Sequence, residues 1–485
     1  MDLKTIFKKI HSLSKKEKTP VYVVGGFVRD LLLKNEIKKD VDFVVVGDGL
    51  AFAKSFDVLL KETGSLVEFP DFGTARYILK PGEKDELILE FASARTEKYD
   101  LNSRKPKVEL TSLEEDLSRR DFTVNAMALS VECFSGLRVP STSKIKKEVV
   151  DPFNGQKDLE TQTLRTPLDP DTTFSDDPLR MMRAVRFAAQ LGFGIEPKTL
   201  EAIYGNRERI KIVSAERVKE ELFKLLSTPS PSIGLALMFQ THLLDLVLPE
   251  VSALDGVEEI YGHQHKNNLT HTFKVVDNIA ERSEKVLLRL AGLLHDIGKA
   301  DTKKFITKIG WTFYQHEHVG RKLVNDISRR LKFSTDERKY LGKLVRWHQQ
   351  PISLMDEGIT DSAVRRLIVN LGQELEDLLV LGRSDITTGN PYKKDKRLKN
   401  YDHLEKRIQE VFEKDKMRAF QSPFRGDEIM KECALKPGPT VGKIKKAIEE
   451  AILEGIIPNE YEAAKGYFEK IREGYLKGVE EWEKL

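Results

Sequence analysis

Asp40 and Asp42 stand one residue apart at the start of an apolar run, DVDFVVVG, and this spacing can bring two carboxylates together. In a β-strand, residues i and i+2 point to the same face, so the two side chains would lie side by side with Val41 on the other face. Two close carboxylates repel each other unless a cation lies between them. Mg²⁺ is bound through one or two carboxylates together with phosphate oxygens, so the pair predicts a magnesium site for a phosphorylated substrate.

A glycine pair precedes these aspartates. Gly25 and Gly26 directly follow the strand-like run VYVV, and Arg29 would lie on the first turn of the next helix. Glycines at this point let the backbone approach a phosphate closely, and the guanidinium of Arg29 can pair with a triphosphate. Glu90, in the strand-like run ELILEFA, either adds a third carboxylate to the metal site or is a surface glutamate on an edge strand.

The elements that must position these residues follow from the hydrophobic pattern. Residues 20–130 alternate strand-like runs (VYVVGG, VDFVVVG, ARYILK and ELILEFA) with helical ones, which is typical of an α/β unit. Residues 138–160 are interpreted as a linker hairpin, and long helical patterns dominate from about residue 175. The length of 485 residues is enough for about three domains.

Composition limits the class of protein. Only two cysteines, Cys133 and Cys433, occur, which argues against a disulfide framework and for a reducing compartment. The N-terminal residues have no apolar core typical of a secretory signal, and no run approaches membrane-spanning length, so we expect a cytoplasmic protein without membrane association. No obligate protein partner is evident. The net charge of +3 does not identify a nucleic-acid binder, but residues 390–407 are basic, with two tyrosines. They form either a solvated helix face or a surface that follows phosphates.

Histidines indicate a second chemistry in the middle of the chain. Seven of the ten histidines lie between residues 263 and 348, and the leucine-rich stretch LLRLAGLLHDIGKA ends its helical pattern at His295 and Asp296. Imidazole and carboxylate ligands suit a divalent transition metal or magnesium.

Four ordered motifs make the chain similar to a known family. GGFVRD, DVDF, RRDFTVNAMAL (119–129) and DDPLRMMRAVRFAAQLGF (176–193) resemble the tRNA nucleotidyltransferases and bacterial poly(A) polymerases, within the DNA polymerase beta-like superfamily. The resemblance covers residues 20 to about 230, and a later stretch, from GDEIMKEC to IIPNEYEAA, looks like the tail region of CCA-adding enzymes.

This resemblance implies roles for several polar residues of the head. Asp40 and Asp42, with Glu90, would be catalytic; Arg119 and Arg120 would contact phosphate; Asp121 and Asn125 would bind ribose hydroxyls; Asp177 and Arg180 would read the incoming base; and Arg183 and Arg186 would meet the triphosphate or brace Asp177. Simpler interpretations also stand. RRD can be a solvated salt-bridge cluster, Asn125 a cap, and Asp177 an N-cap before Pro178 at the first helical position.

The chemistry of an Asp–Arg pair explains how bases could be selected without a template. Cytosine and adenine each present an amino donor beside a ring-nitrogen acceptor, which match a carboxylate and a guanidinium. Guanine and uracil present the reverse order and would leave polar groups unpaired, at a cost of ~1–3 kcal/mol per group.

The order H…HD…D resembles the HD phosphohydrolase superfamily. His271, His295, Asp296 and Asp385 match its four core ligands, while His316 and His348 match positions that bind a second metal in some members, with His318 as the alternative to His316. The resemblance implies a divalent metal of unspecified identity and activity on phosphoesters, although some such domains are inert.

These observations predict an α+β chain with a polymerase beta-like head of mixed sheet and helices, followed by mostly α-helical domains. The expected divisions are a nucleotidyltransferase head at 1–150, a helical neck with the base-recognition motif at 151–255, an HD domain at 256–390 and a helical tRNA-binding tail at 391–485. Three functions remain open, namely CCA addition to tRNA from CTP and ATP, A addition or poly(A) synthesis with the same head, and HD phosphohydrolase activity with a degenerate head.

Overall fold

The structure is a computed structural model that describes residues 2–34, 40–61, 63–82, 86–98, 107–134, 142–264, 266–355, 360–415, 422–477 and 479–484. The chain divides into two compact units, Met1–Pro249 and Glu250–Leu485, which are described separately. None of the helices in these ranges is long and apolar enough to cross a membrane.

One mixed sheet forms the centre of the first unit. The strands of this unit are β1 (Val21–Val24), β2 (Asp40–Val45), β3 (Ser65–Phe69), β4 (Thr74–Leu79), β5 (Leu87–Ser93), β6 (Arg95–Lys98), β7 (Lys107–Leu110), β8 (Ala128–Ser130), β9 (Thr163–Leu164) and β10 (Gly194–Ile195). Six of them are ordered β3-β4-β5-β2-β1-β8. Strands β2 and β5 are parallel, and the other neighbours in this sheet are antiparallel.

Helices surround the sheet and then continue alone. They are α1 (Leu3–Glu17), α2 (Gly26–Leu33), α3 (Gly49–Leu59), α4 (Leu113–Ser118), α5 (Thr142–Glu148), α6 (Gly155–Glu160), α7 (Pro170–Asp176), α8 (Leu179–Leu191), α9 (Pro197–Asn206), α10 (Ala215–Leu226), α11 (Pro231–Gln240), α12 (Leu244–Val247) and α13 (Pro249–Ser252), with 3₁₀ turns at Pro70–Phe72, Thr123–Asn125, Val131–Phe134 and Arg207–Ile212.

The alternation of β2 decides which face of the sheet is apolar. Val41 and Phe43 are buried, whereas Asp40 and Asp42 are exposed. The Phe43 ring lies 5.5 Å from Phe7 of α1 and stacks at 5.2 Å on Phe91 of β5. Burial of these rings against α1 and α3 fixes the orientation of β2, since a slip of one residue would bury the aspartates.

The four predicted strand-like runs are confirmed as β1, β2, β4 and β5, and the α+β class is confirmed. The edge-strand interpretation of Glu90 is wrong, because β5 lies between β4 and β2. The linker hairpin expected at residues 138–160 is also wrong for the described part, where α5 and α6 bury Ile145 and Leu159. Lysine and glutamate separate the few apolar residues there. Because both favour helices, the segment forms helices and not a hairpin.

The second unit is helical, with two small hairpins. Its strands are β11 (Glu259–Ile260), β12 (His263–Gln264), β13 (Lys304–Ile306) and β14 (Gly310–Thr312); its helices are α14 (Asn268–Ala280), α15 (Val286–Leu294), α16 (Lys299–Thr302), α17 (His316–Arg330), α18 (Thr335–Trp347), α19 (Gln350–Ser353), α20 (Asp361–Leu371), α21 (Leu375–Ser384), α22 (Pro391–Asp415), α23 (Gly426–Cys433), α24 (Pro439–Leu453) and α25 (Tyr461–Leu476), with 3₁₀ turns at Gly372–Glu374 and Glu481–Glu483.

Gly155, at the start of α6, permits a close backbone approach that supports the head. A Cβ atom at this position would lie 2.3 Å from the carbonyl oxygen of Thr123, in the 3₁₀ turn that ends at Asn125. We expect Gly155→Ala to lower the free energy of unfolding by about 1–3 kcal/mol, because backbone must move to admit the methyl group. Urea denaturation followed by circular dichroism measures the change.

Gly205→Ala is the matched control. Gly205 lies within α9, and no atom lies within 4 Å of the added methyl group. Alanine there should be neutral or stabilise the protein by about 0.5–1 kcal/mol, since glycine is the poorer helix former. Equal stability of Gly155→Ala and the parent protein would contradict the packing argument.

Candidate active sites

The predicted carboxylates lie on one open face of the head sheet. Asp42 on β2 is paired in register with Glu90 on β5, and Asp40 shares its exposed face. Glu90 also accepts a hydrogen bond from Arg76 Nη2 at 2.9 Å. Among the described residues, sets of three metal-ligand atoms within 4.8 Å of one another occur only in the second unit, so the three head carboxylates do not form such a set. Glu90 is therefore held by an arginine, beside the aspartates.

The environment of Asp42 is unfavourable for a bare negative charge. Desolvation, together with Glu90 and Asp40, raises the pKa of Asp42 to about 6, although Arg120 and Arg76 oppose this. The side chain remains accessible to solvent, so a cation can reach the carboxylate without opening the core.

The glycine turn after β1 packs beside the same carboxylate. Gly25 has φ +72°, and a Cβ atom there would lie 3.3 Å from Arg120 Nη1 and 3.7 Å from Asp42 Oδ2. Gly26 begins α2. A side chain at Gly25 would be strained and would narrow the space around Asp42, which agrees with a glycine that keeps this space open.

Asp116, which the sequence motifs did not indicate, orients Arg119 and Arg120. Its buried carboxylate contacts Arg119 at 2.7 Å and Arg120 at 3.2 Å. Burial raises the pKa of Asp116, but the two arginines outweigh it and the net direction is downward. An acid on α4, three and four residues before two arginines at the end of that helix, was the available sequence signal.

A buried polar network connects α2, the turn at Asn125 and α8. Arg29 is only 3% exposed and donates to Asp30 at 2.9 Å and to Asn125 at 2.7 Å. Asn125 donates to Asp121 at 3.0 Å, and Arg183 donates to Asp121 at 2.8 Å. Burial alone would raise the pKa of Asp121, yet Arg183 and Asn125 lower it to about 2.

Asn125 thus bonds with both Arg29 and Asp121. Asp121 is buried, so the RRD motif is not a solvated cluster. The predicted contacts of Arg29 with phosphate and of Asp121 and Asn125 with ribose remain predictions.

Asp177 lies between α7 and α8 in an extended conformation. Its Oδ1 accepts the Leu179 N–H at 3.2 Å, and its Oδ2 accepts a hydrogen bond from Arg217 at 3.0 Å. The structure places Pro178, not the expected Asp177, at the N-cap of α8, although Asp177 still accepts the N–H of the first residue of that helix. The second oxygen of Asp177 faces α10. Arg180 donates to the Arg119 carbonyl at 2.5 Å.

The remaining arginine of α8 is turned inward. Arg186 forms an ion pair with the buried Glu221 of α10 and donates to Gln190 at 2.7 Å. Arg217, rather than Arg183 or Arg186, contacts Asp177 among the bonds observed.

These residues surround a cavity of about 410 Å³ in the first unit. Its lining is mostly charged and consists of Arg119, Arg120, Asp121, Asp177, Leu179, Arg180, Arg183, Arg217, Glu220, Glu221 and Lys224. Six of the sequence-predicted residues are thus brought together, along with Arg217 and Lys224, which the sequence reasoning did not select. Such a cavity suits a polyanionic ligand with a polar, planar portion.

Histidines and aspartates converge separately in the second unit. His271 Nε2 lies 2.9 Å from Asp385 Oδ1 and 3.7 Å from Asp296 Oδ2. His295 Nε2 lies 3.2 Å from Asp296 Oδ2 and 3.5 Å from Asp385 Oδ1. The four residues matched to the core ligands therefore share one centre.

A second set of ligand atoms adjoins the first through Asp296. Its Oδ1 lies 3.4 Å from His316 Nε2 and 3.6 Å from His348 Nε2, and these two nitrogens are 3.2 Å apart. Each carboxylate oxygen of Asp296 thus faces a different pair of histidines. His318 is 52% exposed and lies outside both sets, so the structure favours His316 over His318.

Hydrogen bonds at Nδ1 orient the histidines. The Nδ1 partners are the carbonyl of Gly292 for His295 (2.7 Å), the carbonyl of Phe313 for His316 (2.8 Å), the carbonyl of Val345 for His348 (2.8 Å) and the hydroxyl of Thr387 for His271 (2.7 Å). A carbonyl can only accept, so the ring proton of a neutral histidine lies on Nδ1 and the Nε2 lone pair faces inward.

The electrostatics of this centre attract positive charge. Burial opposes a charge on His295, but Asp296 and Asp385 outweigh it and raise the pKa of His295 to about 10. Burial and the neighbouring His295 lower the pKa of His348 to about 4. His295 Nε2 is buried without a hydrogen bond. Imidazole and carboxylate donors with an unsatisfied inward nitrogen fit a divalent cation.

Comparisons with known proteins identify the domains of this chain. Family models match a Poly A polymerase head domain at residues 21–165, a probable RNA and SrmB-binding site of polymerase A at residues 192–254 and an HD domain at residues 268–382.

Curated relatives and solved structures extend the match. The "Multifunctional CCA protein" of Psychromonas ingrahamii is 34% identical over 333 residues, which cover 66% of this chain and 72% of the relative. The "A-adding tRNA nucleotidyltransferase" of Deinococcus radiodurans is 31% identical over 361 residues, 73% of this chain and 78% of the relative. The CCA-adding enzyme of Bacillus stearothermophilus in complex with CTP has a TM-score of 0.66 at 22% identity, over 99% of this chain and 100% of that chain, and this likeness concerns the fold. The chain therefore belongs to the tRNA nucleotidyltransferase and poly(A) polymerase family and carries an HD domain.

Proposed function

We propose that this enzyme adds C, C and A to the 3′ ends of tRNA, using CTP and ATP without a nucleic-acid template. The observation that supports this most directly is the charged cavity of the first unit, where Asp177 and Arg180 lie with Arg119, Arg120 and Arg183. The carboxylate and the guanidinium that would read the nucleobase would then adjoin several further guanidinium groups, which can bind a triphosphate. The two separated cysteines support a cytoplasmic location.

The enzyme depends on a divalent cation, and we assign Mg²⁺ to Asp40 and Asp42. Both carboxylates are accessible on the open face of β2, and the raised pKa of Asp42 reflects a site in which a cation would relieve repulsion. When bound, the cation supplies positive charge at the triphosphate and favours ionisation of the attacking 3′-hydroxyl. Arg120, held by Asp116, lies beside Asp42 and would contact a phosphate.

Asp177 and Arg180 are proposed to select the base. The Leu179 N–H holds one oxygen of Asp177 and so fixes the direction of the carboxylate. Its other oxygen pairs with Arg217, whose side chain is 45% exposed. Arg217 can therefore move aside, or share the carboxylate, when the amino group of cytosine or adenine binds. Guanine or uracil would leave polar groups unpaired, and the free-energy cost of these groups would disfavour binding of GTP and UTP.

A addition alone is the second candidate, and the Deinococcus radiodurans relative favours it. Two tRNA substrates distinguish the two, one lacking its last three nucleotides and one lacking only the terminal A, each incubated with one labelled triphosphate at a time. Incorporation of C supports CCA addition, and incorporation of A only onto tRNA already ending in CC supports the A-adding alternative. Failure to incorporate either nucleotide would contradict both and leave the HD site as the main activity.

Asp40→Ala should abolish incorporation of every nucleotide, because one of the two cation ligands is removed. The measurement is single-turnover extension of tRNA with labelled CTP and, separately, ATP. Glu68→Ala, which removes an exposed carboxylate from β3 of the same sheet, is the control and should keep parental rates. Parental activity in Asp40→Ala would disprove the metal assignment.

Asp177→Ala should lower activity and reduce the discrimination of CTP over UTP by about tenfold or more, since a specific acceptor is lost. The ratio of kcat/KM values for the two triphosphates gives the discrimination. Asp171→Ala, in an exposed position on α7, is the matched control. Full discrimination in Asp177→Ala would mean that another residue reads the base.

We further propose that the HD site binds two divalent cations and hydrolyses phosphoesters. His271, His295 and Asp385 would hold one cation, His316 and His348 the other, and Asp296 would contact both. When bound, such cations supply Lewis acidity toward a phosphoester. The chain itself directs the Nε2 atoms of His295, His316 and His348 toward the site, because their Nδ1 atoms are bonded to backbone carbonyls.

His316→Ala should lower the bound metal by about one equivalent per chain relative to the parent protein, whereas His318→Ala should not change it. The parent protein and the two variants are stripped with chelator, reloaded with Mn²⁺, passed through gel filtration and analysed by elemental mass spectrometry. A loss on His318→Ala with none on His316→Ala would contradict the assignment.

A further inference from the structure

The second unit carries an aromatic patch, defined here as Tyr261, Phe305 and Trp311. Phe305 and Trp311 are opposite each other on β13 and β14, with ring centroids 5.4 Å apart. Tyr261, in the turn between β11 and β12, lies 6.1 Å from Phe305 and is 85% exposed. The three rings therefore form a connected surface that is open to solvent at Tyr261.

Tyr261 occupies a backbone conformation that disfavours an aromatic residue. Its φ is +50°, and the following Gly262 has φ +76°, so both turn residues of this hairpin are left-handed. Asparagine and glycine are the usual residues in such a turn. A large exposed ring at this position needs a reason outside the fold, and ligand contact is one.

Lysines border the patch. Lys303 Nζ lies 4.9 Å from the Trp311 ring but is paired with Glu258 Oε1 at 2.7 Å, so the unpaired cations are its neighbours on the hairpin. Lys304 and Lys308 are exposed on the same hairpin, and neither side chain pairs with an acid within the described residues. Aromatic surfaces with adjoining cations bind single-stranded nucleic acid, in which bases stack on rings and phosphates meet the cations. This charge favours RNA over an apolar protein segment.

The patch is also connected to the HD site. Strand β14 leads into Phe313, whose carbonyl accepts the Nδ1 proton of His316 at 2.8 Å. The Phe313 ring lies 5.6 Å from Lys299 Nζ, which contacts Asp296 Oδ2 at 2.6 Å. The same short segment that presents Trp311 therefore orients a ligand of the metal centre.

We propose that the aromatic patch binds the unpaired 3′-terminal nucleosides of an RNA chain, so that the HD site acts on a terminal phosphoester of RNA in preference to the same group on a free mononucleotide. This inference rests on the hydrolytic activity proposed for the HD site. In the reaction on a 2′,3′-cyclic phosphate, water adds to phosphorus, one P–O bond to ribose breaks, and the released ribose oxygen takes up the proton that the water loses.

The test compares uridine 2′,3′-cyclic phosphate with a trinucleotide that ends in the same group, using the full chain loaded with Mn²⁺. The trinucleotide should have at least about a fivefold higher kcat/KM, mainly through a lower KM, because each base stacked on an aromatic ring adds affinity. Tyr261→Ala should remove most of this preference, because the trinucleotide then loses a ring on which its bases stack. Tyr475→Ala, on an exposed ring of α25, is the control and should keep the preference.

A second measurement keeps the inference testable if neither substrate is hydrolysed, in which case the proposed hydrolytic activity fails by itself. A trinucleotide ending in 4-thiouridine is photo-crosslinked to the protein, and the modified peptides are identified by mass spectrometry. Crosslinks at residues 259–264 or 303–314 that Tyr261→Ala removes would support the patch. Crosslinks elsewhere only, or equal kcat/KM values for the two substrates, would overturn it.

Discussion

The first unit depends on the repulsion between two carboxylates that the β2 strand forces onto one face. Burial of Val41 and Phe43 fixes the strand, so Asp40 and Asp42 cannot turn away without losing the core contacts beneath them. Glu90 adds negative charge from the neighbouring strand, and the pKa of Asp42 is raised to about 6 as a result of desolvation and these neighbours. A site of this kind is stabilised by cation binding, which links the fold of the sheet to the chemistry of a triphosphate.

Buried acids hold the arginines that surround this site. Asp116 holds Arg119 and Arg120, and Asp121 holds Arg183. A buried ion pair contributes little net stability, because desolvation offsets the attraction, but it fixes a long side chain in one conformation. The paired guanidinium groups can therefore meet a nucleotide with less loss of conformational entropy than free surface arginines would.

The HD centre follows the same principle with different groups. Backbone carbonyls determine which ring nitrogen carries the proton in His295, His316 and His348. The buried Asp296 faces both histidine pairs. The metal-binding nitrogens are thus oriented by helix ends and by the β14 exit, before any cation arrives. The hairpin of β13 and β14, which presents part of the aromatic patch, leads into Phe313 and so also orients His316.

Local periodicity allowed much of the head to be predicted, since alternation places Asp40 and Asp42 on one face whatever the tertiary contacts are. The order of strands could not be read from the same pattern, so the central position of β5 and the pairing of Glu90 with Arg76 were missed. The burial of Arg29 depends on Asn125, nearly one hundred residues away, and Asp177 meets Arg217 from a different helix. His316 and His318 are both histidines, two residues apart, so the sequence could not show which of them is the ligand. The structure distinguishes them, because His316 begins α17 and its Nδ1 is bonded to the Phe313 carbonyl.

An anomalous diffraction experiment on crystals grown with CTP and Mn²⁺ tests the central claim most directly. We expect an anomalous peak within coordination distance of carboxylate oxygens from both Asp40 and Asp42 and of a triphosphate oxygen. Bound CTP with no such peak, and with Arg120 or Arg76 in contact with both carboxylates instead, would contradict it.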